Sequence, residues 1–168
     1  ALAMRLAASG FRVHAALDGR SLRTRRLALE AGMHDCGSLD ALVRTCDLVL
    51  SVINPAHAVG LARSLAAAIK RTGRGIVVAD LNAISPGHAR EAAELVLAAG
   101  GRFVDGGVLG VPPHGEARVR IVASGPEAAL LEALAGPGIG VRVLSDRVGD
   151  ASALKLCNAA LTKGVLLD

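Results

Sequence analysis

The sequence GIVVADLNAISPGHAREAAELVLAAGGRFVDGGVLG, residues 75–110, carries the strongest signal for the fold class. Its first seven residues predict a buried strand, because the run is short, rich in apolar residues and preceded by glycine. Ser85 and Pro86 predict a helix start, since serine accepts hydrogen bonds from first-turn N–H groups and proline suits the first helical position. Gly100 and Gly101 end that helix, and residues 102–109 form the next predicted strand. This strand–helix–strand order predicts an α/β fold.

The same alternation extends on both sides of this stretch. Further strands are predicted at residues 11–17, 33–36, 47–53, 117–123 and 141–144. Further helices are predicted at residues 1–9, 21–30, 38–45, 54–72, 126–134 and from residue 150 onward. Strands and helices of these lengths indicate a Rossmann-like, doubly wound and mostly parallel sheet with helices on both faces. There is no internal repeat and no low-complexity linker.

Composition excludes several classes of protein. Hydrophobic residues make up 52% of the 168 residues and charged residues 20%, so this chain is able to form a packed core and is not intrinsically disordered. The mean hydropathy is +0.46, but no apolar run approaches the roughly 20 residues that a membrane-spanning helix needs. The aromatic residues are Phe11 and Phe103, so base stacking is not expected and we predict no nucleic-acid or membrane partner.

The cysteines favour a reducing compartment. Cys36, Cys46 and Cys157 are odd in number and lack the spacing of zinc ligands, so neither a disulfide framework nor a metal site is predicted. No signal peptide is recognisable either. We therefore predict a cytoplasmic protein.

A basic segment at residues 17–26 is the first candidate binding region. It places Asp18, hydroxyl groups and four arginines at the end of a predicted strand and the start of a helix. In a nucleotide-binding α/β fold this position faces the adenine ribose, where arginine favours a 2′-phosphate and a carboxylate favours a free 2′-hydroxyl. Arg20, Ser21 and Thr24 favour NADP, whereas Asp18 favours NAD. A solvated basic helix face is the alternative interpretation.

The ends of two further strands are candidates for a cofactor cleft. Ligands of doubly wound sheets bind beyond the carboxyl ends of the strands. Val52, Ile53 and Asn54 follow one predicted strand, and Asn82 follows the next. Their backbone and polar groups could line such a cleft, although residues at these positions often serve only to turn the chain.

A glycine-rich segment after Asp105 is a candidate ligand-binding loop. Its residues are Gly106, Gly107, Val108, Leu109 and Gly110, followed by a Pro-Pro pair after Val111. Glycine lets a ligand approach backbone N–H groups closely, which suits a carboxylate or a nicotinamide ring. A tight bend without a ligand explains the segment equally well.

The last predicted helix carries a narrow polar stripe. Ser152, Lys155, Asn158 and Thr162 recur at three- or four-residue spacing among apolar neighbours. A lysine partly removed from water would have its pKa lowered toward the range useful for general acid–base catalysis. The alternative is an ordinary surface stripe.

Three ordered blocks resemble the β-hydroxyacid dehydrogenases, a family that includes 3-hydroxyisobutyrate and 6-phosphogluconate dehydrogenases and related imine reductases. The blocks are residues 80–86, residues 103–107 and residues 149–158. Runs of a putative-phosphogluconate-dehydrogenase-like branch of that family are similar to residues 151–155 and 160–164. The resemblance covers nearly the whole chain, and three blocks in order are more specific than any one of them.

The resemblance implies an NAD(P)-dependent oxidoreductase that transfers a hydride between the nicotinamide and a small hydroxy or keto acid. By this resemblance Lys155 corresponds to the catalytic general acid/base, and Asn158 to an asparagine that hydrogen-bonds the substrate. Residues 106–110 correspond to the substrate-carboxylate loop, and we group Ser152 with these substrate-binding residues. Leu109 stands where many members have a serine, and Asn82 and Ala83 replace a Ser-Thr pair, so the resemblance does not identify the substrate.

The resemblance also implies a chain truncated at both ends. Family members begin with a strand and a GxGxxG turn that are missing here, so the strand near Phe11 should lack a neighbour that joins it to the strand near Asp47. We predict a partial NAD(P)-binding domain at residues 1–148. Residues 149–168 would begin an interdomain helix that leads to a helical C-terminal domain, with a homodimer in the full-length protein. An imine reductase-like enzyme and a noncatalytic nucleotide-sensing protein remain alternatives.

Overall fold

The computed structural model describes residues 2–109 and 118–164 as an α/β fold. Its α-helices are α1 (Leu2–Ala8), α2 (Leu22–Glu30), α3 (Leu39–Thr45), α4 (Ala58–Thr72), α5 (Pro86–Leu97) and α6 (Asp150–Gly164). Its strands are β1 (His14–Ala15), β2 (His34–Asp35), β3 (Leu48–Ser51), β4 (Val77–Asp80), β5 (Arg102–Leu109), β6 (Val119–Ser124) and β7 (Ile139–Ser145). Two 3-10 helices, Pro55–His57 and Ala128–Leu134, complete the described elements.

The described strands form two sheets. A five-stranded sheet has the order β3-β4-β5-β6-β7, and β1 pairs with β2 in a separate two-stranded sheet. All neighbours are parallel except β5 and β6, so the predicted Rossmann-like, mostly parallel α/β class is confirmed. Within the described residues no pairing joins β1 to β3, as predicted for the strands near Phe11 and Asp47.

The helix starts follow the local sequence signals. Ser21, Ser38 and Ser85 each precede a helix, and each side-chain oxygen accepts a hydrogen bond from a backbone N–H three residues later. These bonds satisfy donors that a first helical turn otherwise leaves open. A local signal also marks one helix end. Gly73, just after α4, has a φ of 66°, a left-handed conformation that glycine adopts without strain.

Apolar clusters cover both faces of the five-stranded sheet. On one face, α4 and α5 pack on the sheet through Leu65, Ile69 and Val96, which cluster with Val78 and Phe103. On the other face, α1 and the 3-10 helix Ala128–Leu134 contribute a second cluster, with Leu6 and Leu131 packed against the sheet. This two-sided burial explains why Val77, Val78 and Ala79 of β4 are all apolar.

Three predictions of local structure were wrong in extent or type. Residues 11–17 contain a strand of only two residues, because in the described structure its one partner, β2, is itself only two residues long. The helix predicted over residues 54–72 begins with the 3-10 turn Pro55–His57 before α4. The helix predicted over residues 126–134 is a 3-10 helix, Ala128–Leu134, rather than an α-helix.

Among the described residues, no helix is both long enough and apolar enough to cross a bilayer.

Candidate active site

The register of the large sheet places a row of polar side chains near the carboxyl ends of its parallel strands. Ser51 on β3 pairs with Asp80 on β4, and Asp80 pairs with Asp105 on β5. Asp105 pairs in turn with Ser124 on β6. Directly paired residues share a face of the sheet, and all four of these residues are buried. Because buried polar groups are costly unless they are hydrogen-bonded, each partner in this row matters.

Asp80 is held by three hydrogen bonds. Ser51 Oγ donates to Asp80 Oδ2 at 3.2 Å, and Asn82 Nδ2 donates to the same oxygen at 3.0 Å. The Asn82 backbone N–H donates to Asp80 Oδ1 at 2.8 Å. Burial raises the pKa of Asp80, and these hydrogen bonds oppose that rise. The carboxyl group therefore ties the ends of β3 and β4 together.

Asn82 fixes the loop that follows β3. Its Oδ1 accepts a hydrogen bond from the Ile53 backbone N–H at 2.7 Å, and its Nδ2 donates to Ser51 Oγ at 2.8 Å. Only 3% of Asn82 is exposed. The predicted cofactor-binding residue thus has its amide engaged by the protein, and it sets the backbone position of Ile53.

Asp105 anchors the start of α6. The Gly149 and Ser152 backbone N–H groups donate to its Oδ2 at 2.9 and 3.0 Å, and Ser152 Oγ donates to its Oδ1 at 2.5 Å. Ser124 Oγ also donates to Asp105 Oδ2, at 3.0 Å, and accepts from the Ala151 backbone N–H at 2.9 Å. A carboxylate at a helix N-terminus is favoured by the helix dipole. The helix is therefore locked to β5 and β6 at its first turn.

Lys155 projects from the second turn of α6 toward the end of β4. Its Nζ donates to the Leu81 carbonyl oxygen at 2.9 Å. The side chain is partly buried, and burial lowers the pKa of Lys155 while the nearby Asp80 charge opposes that effect. An amine in this position is able to exchange a proton with a ligand bound beyond the strand ends.

The described members of the predicted substrate-binding set lie on β5 and α6, and Gly107 among them lies against the Lys155 stem. Gly106 and Gly107 are buried within β5, and Val108 and Leu109 are half-buried at its end. Ser152 is fully buried, with its hydroxyl donating to Asp105. Asn158 is half-buried on α6, three residues after Lys155. Gly110 and the Thr162 side chain lie outside the described residues.

The predicted cofactor-binding residues lie partly in one cleft. The cleft has a volume of about 430 Å³, and Arg20, Ile53 and Asn54 contribute to its lining. Ser21 and Thr24 lie beside it at the start of α2, where their side-chain oxygens are 3.0 Å apart. The Val52 side chain is 55% exposed after β3. The structure thus brings Arg20, which lies between β1 and α2, next to the loop that follows β3.

Sequence reasoning assigned no role to the carboxylates of Asp80 and Asp105 or to the hydroxyls of Ser51 and Ser124. A signal for all four is present, because each of these residues follows an apolar strand segment. Their pairing depends on sheet register, which the sequence does not display. Within the described ranges, no group of three or more His, Cys, Asp or Glu residues is arranged to hold a metal ion.

Comparison with known families gives a match over most of the chain. Residues 1–135 match the family described as the NAD binding domain of 6-phosphogluconate dehydrogenase. The match includes β1 through β6 and therefore both sides of the cleft.

Individual relatives give the same picture. An uncharacterized 28.5 kDa protein of Methanothermus fervidus is 28% identical over 153 residues, which are 91% of this chain and 57% of the relative. A solved structure of a conserved protein of unknown function, described as similar to 3-hydroxyacid dehydrogenases, is 34% identical with a TM-score of 0.83. That match covers 98% of this chain and 60% of the other. The chain therefore spans a little over half the length of these relatives.

A further similar structure contains a bound cofactor. It is an imine reductase variant from Myxococcus stipitatus in complex with NAD⁺, 25% identical with a TM-score of 0.77. The similarity covers 98% of this chain and 57% of the imine reductase.

Proposed function

Because the chain belongs to the family with the NAD binding domain of 6-phosphogluconate dehydrogenase, we propose that the full-length protein is an NADP-preferring dehydrogenase that acts on a small hydroxy acid or the corresponding keto acid. The observation that carries this proposal is the position of the Lys155 side chain. Its ammonium group is half-buried beside the carboxyl end of β4, where ligands of doubly wound sheets bind.

The residues around the cleft fit a nicotinamide dinucleotide. Arg20 provides a cation at the start of α2, and the Asn82 amide holds the backbone of Ile53 in place on the opposite wall. We assign the cofactor to Arg20, Ser21, Thr24, Val52, Ile53, Asn54 and Asn82, with Asn82 acting through the loop that it fixes. Bound there, the nicotinamide supplies or accepts the hydride.

NADP is favoured over NAD by the charge on one wall of the cleft. Arg20 is able to donate charge-assisted hydrogen bonds to a 2′-phosphate, which are stronger than hydrogen bonds between neutral groups. Ser21 and Thr24 add hydroxyl donors beside it. NAD remains a usable cofactor in this proposal, because the cleft does not require the phosphate.

Lys155 moves the proton in the proposed reaction. In the oxidation direction its neutral amine accepts the proton of the substrate hydroxyl, and in the reduction direction its ammonium returns that proton to the oxygen. A lowered pKa makes both forms accessible nearer neutral pH. Asn158 on the same helix would hydrogen-bond the substrate, and residues 106–110 with Ser152 would surround its carboxylate.

The wider organisation follows the same proposal. Residues 1–148 would form the cofactor-binding domain, and residues 149–168 would begin an interdomain helix that leads to a helical domain. A cytoplasmic homodimer is the assembly that we propose for the full-length protein. Its small-molecule substrate would bind between the domains, with no nucleic-acid or membrane partner.

Imine reduction is a second candidate, and the similarity to the Myxococcus stipitatus imine reductase favours it. Such an enzyme also needs a proton donor near the nicotinamide, but in the imine reductases of the resembled family an acidic or aromatic donor often replaces the lysine. Because this chain has a lysine at that position, alcohol chemistry is the primary proposal.

The test is an assay of the full-length protein with NADPH and NADH over a panel of keto acids and cyclic imines. We expect oxidation of NADPH with a keto acid to be the fastest reaction. Preferred turnover of imines would replace the primary proposal with the second candidate. Cofactor binding without turnover of any compound would instead indicate a nucleotide-sensing protein.

A further inference from the structure

The stem of Lys155 crosses β5 at Gly107. A Cβ atom placed on Gly107 would lie 2.8 Å from Lys155 Cδ and 3.2 Å from Lys155 Cβ. Carbon atoms that are not bonded to each other pack at about 3.5–4.0 Å, so no side chain fits at Gly107 while the lysine keeps this path. The space left by the missing side chain is occupied by the lysine and not by open solvent.

The neighbouring glycine serves a different purpose. A Cβ on Gly106 would lie 2.6 Å from Leu81 Cδ2 and 3.1 Å from the Val122 carbonyl oxygen. Gly106 therefore accommodates packing on the opposite face of the sheet, as expected when successive residues of a strand alternate between faces. Contact with the lysine stem is specific to Gly107.

The route of Lys155 is also set from the helix side. The Asp105 carboxylate accepts hydrogen bonds from Gly149 and from the Ser152 backbone and side chain, so the first turn of α6 cannot slide along β5 without breaking them. Asp105 and Gly107 lie two residues apart and share a face of the strand. One strand thus fixes both where α6 begins and where the lysine stem passes.

We propose that Gly107 is a positioning residue for Lys155, because its missing side chain gives the lysine stem the path by which Nζ reaches the Leu81 carbonyl oxygen. The path itself rests on the contacts of Gly107 and Lys155. Its consequence for catalysis rests on the function proposed above. Gly107 in this role acts on the reaction only through the lysine.

The charged groups near Lys155 come from each element packed on α6. Asp80 on β4 is the charge that acts on the lysine, and Asp105 on β5 is engaged with the helix start. Asp150 pairs with Arg147 at the outer end of the first turn.

The remaining charged groups lie on α5, β6 and β7. On α5, the Arg90 guanidinium lies close to Gly149. Arg120 on β6 is exposed and pairs with Leu109 beyond Gly107, and Arg142 on β7 is exposed and pairs with Val122. Substitution of Gly107 changes none of these charges.

The test compares Gly107→Ala with Gly140→Ala in the natural, full-length protein. Gly140 is a matched control on β7, where an added Cβ would meet its nearest neighbour, the Val119 carbonyl oxygen, at 4.0 Å. The rate of acylation of Lys155 is measured against pH by peptide mass spectrometry, with the exposed Lys70 as an internal reference for the reagent. This readout reports the protonation of one amine and does not need an enzymatic substrate.

In Gly107→Ala we expect the midpoint of Lys155 acylation to move up by about one pH unit, since the displaced ammonium loses part of its burial. In Gly140→Ala the midpoint should match that of the unmodified protein. An unchanged or lowered midpoint in Gly107→Ala would overturn the proposal.

A double variant covers the case in which Gly107→Ala does not fold. The urea midpoint is measured for Gly107→Ala alone and in a Lys155→Ala background, where the stem that meets the new methyl group is gone. If Gly107→Ala lowers the urea midpoint less in that background, or if folded protein is recovered there, the contact between the new methyl group and the Lys155 stem is the cause of the instability. An equal loss in both backgrounds contradicts it.

The two proposals fail in different ways. If Lys155 acylation shifts as expected but no keto acid or imine is turned over, Gly107 positions the lysine and the proposed activity is wrong. If turnover depends on Lys155 but the midpoint of its acylation is unchanged in Gly107→Ala, the proposed activity is retained and the proposed positioning role is wrong.

Discussion

The surroundings of Lys155, the lysine side of the candidate site, and the cleft lined by Arg20, its cofactor side, are built differently. On the lysine side, Asp105 and Ser152 are fully buried and hydrogen-bonded to each other, and Lys155 is partly buried. On the cofactor side, Arg20, Ser21 and Thr24 are exposed at the start of α2, beside a sheet of two short strands. The first turn of α6 is thus capped by the buried carboxylate of Asp105, which lies on β5. The first turn of α2 is capped by Ser21, the exposed residue just before that helix.

This difference indicates which part of the site is rigid before ligands bind. Groups that transfer a proton need fixed geometry, because small displacements weaken catalysis. Groups that recognise a flexible, charged part of a cofactor tolerate exposure and rearrangement. Substitutions on the lysine side should therefore affect folding and catalysis, and those on the cofactor side should affect mainly binding, with smaller losses of stability.

The largest expected effect is on catalysis at Lys155. Lys155→Met keeps the length and apolar stem of the side chain but removes the titrating group, so kcat should fall by a factor of about 10²–10⁴. NADPH binding, measured by fluorescence titration, should be unchanged. Lys70→Met, a substitution of an exposed lysine on α4, is the control. Equal activity in the two variants would remove Lys155 from the mechanism.

The next effect is on stability, and it compares the two helix caps directly. Asp105→Asn replaces a charged acceptor by an amide that cannot accept all of its hydrogen bonds, and the free energy of unfolding should fall by about 2–4 kcal/mol. Ser21→Ala, at the exposed cap of α2, should cost only about 1 kcal/mol. Urea denaturation followed by circular dichroism measures both. Similar losses would mean that the burial of the α6 cap contributes little.

A smaller effect is expected on cofactor choice. Arg20→Ala should weaken NADP binding by about 10- to 100-fold, the range expected for the loss of hydrogen bonds to a charged group. NAD binding should change little. Arg26→Ala is the matched control, because Arg26 lies on α2, the helix that follows Arg20, pairs with Glu30 and is not among the residues that line the cleft. If both cofactors weaken equally in Arg20→Ala, the assignment of Arg20 to a 2′-phosphate is wrong.

The smallest effect is on the pH profile. The Asp80 charge raises the pKa of Lys155, so Asp80→Asn should lower it further. Because alcohol oxidation needs the neutral amine, the midpoint of its rise with pH should move down by up to about one unit. The control is Asp47→Asn, an exposed position that pairs with Arg74. An upward shift in Asp80→Asn would contradict the electrostatic link between the two groups.

Much of the fold was predictable because its signals are local. The Ser85-Pro86 pair predicts a helix start, the helices predicted at residues 21–30 and 38–45 are present, and the bounds of β5 are predicted correctly at residues 102–109. The extent of β1 was wrong because strand length depends on partners elsewhere in the sheet. The 3-10 geometry of residues 128–134 was likewise not visible in the apolar pattern.

The site was predictable only in part. The polar stripe of α6 pointed to Lys155 because a single lysine stood among small polar residues. The row that includes Asp80 and Asp105 requires the register of neighbouring strands, which no local pattern specifies. From the sequence, we expect the missing side chain of Gly107 to leave room for a ligand. In the structure the stem of Lys155 occupies that room.

The proposed proton transfer by Lys155 is tested by the pH dependence of kcat/KM in both reaction directions. If Lys155 carries the proton, alcohol oxidation rises with pH, and keto-acid reduction falls, through a shared midpoint below the ordinary lysine value of 10.5. Both titrations should then disappear in Lys155→Met. A midpoint that persists in Lys155→Met would show that another group carries the proton.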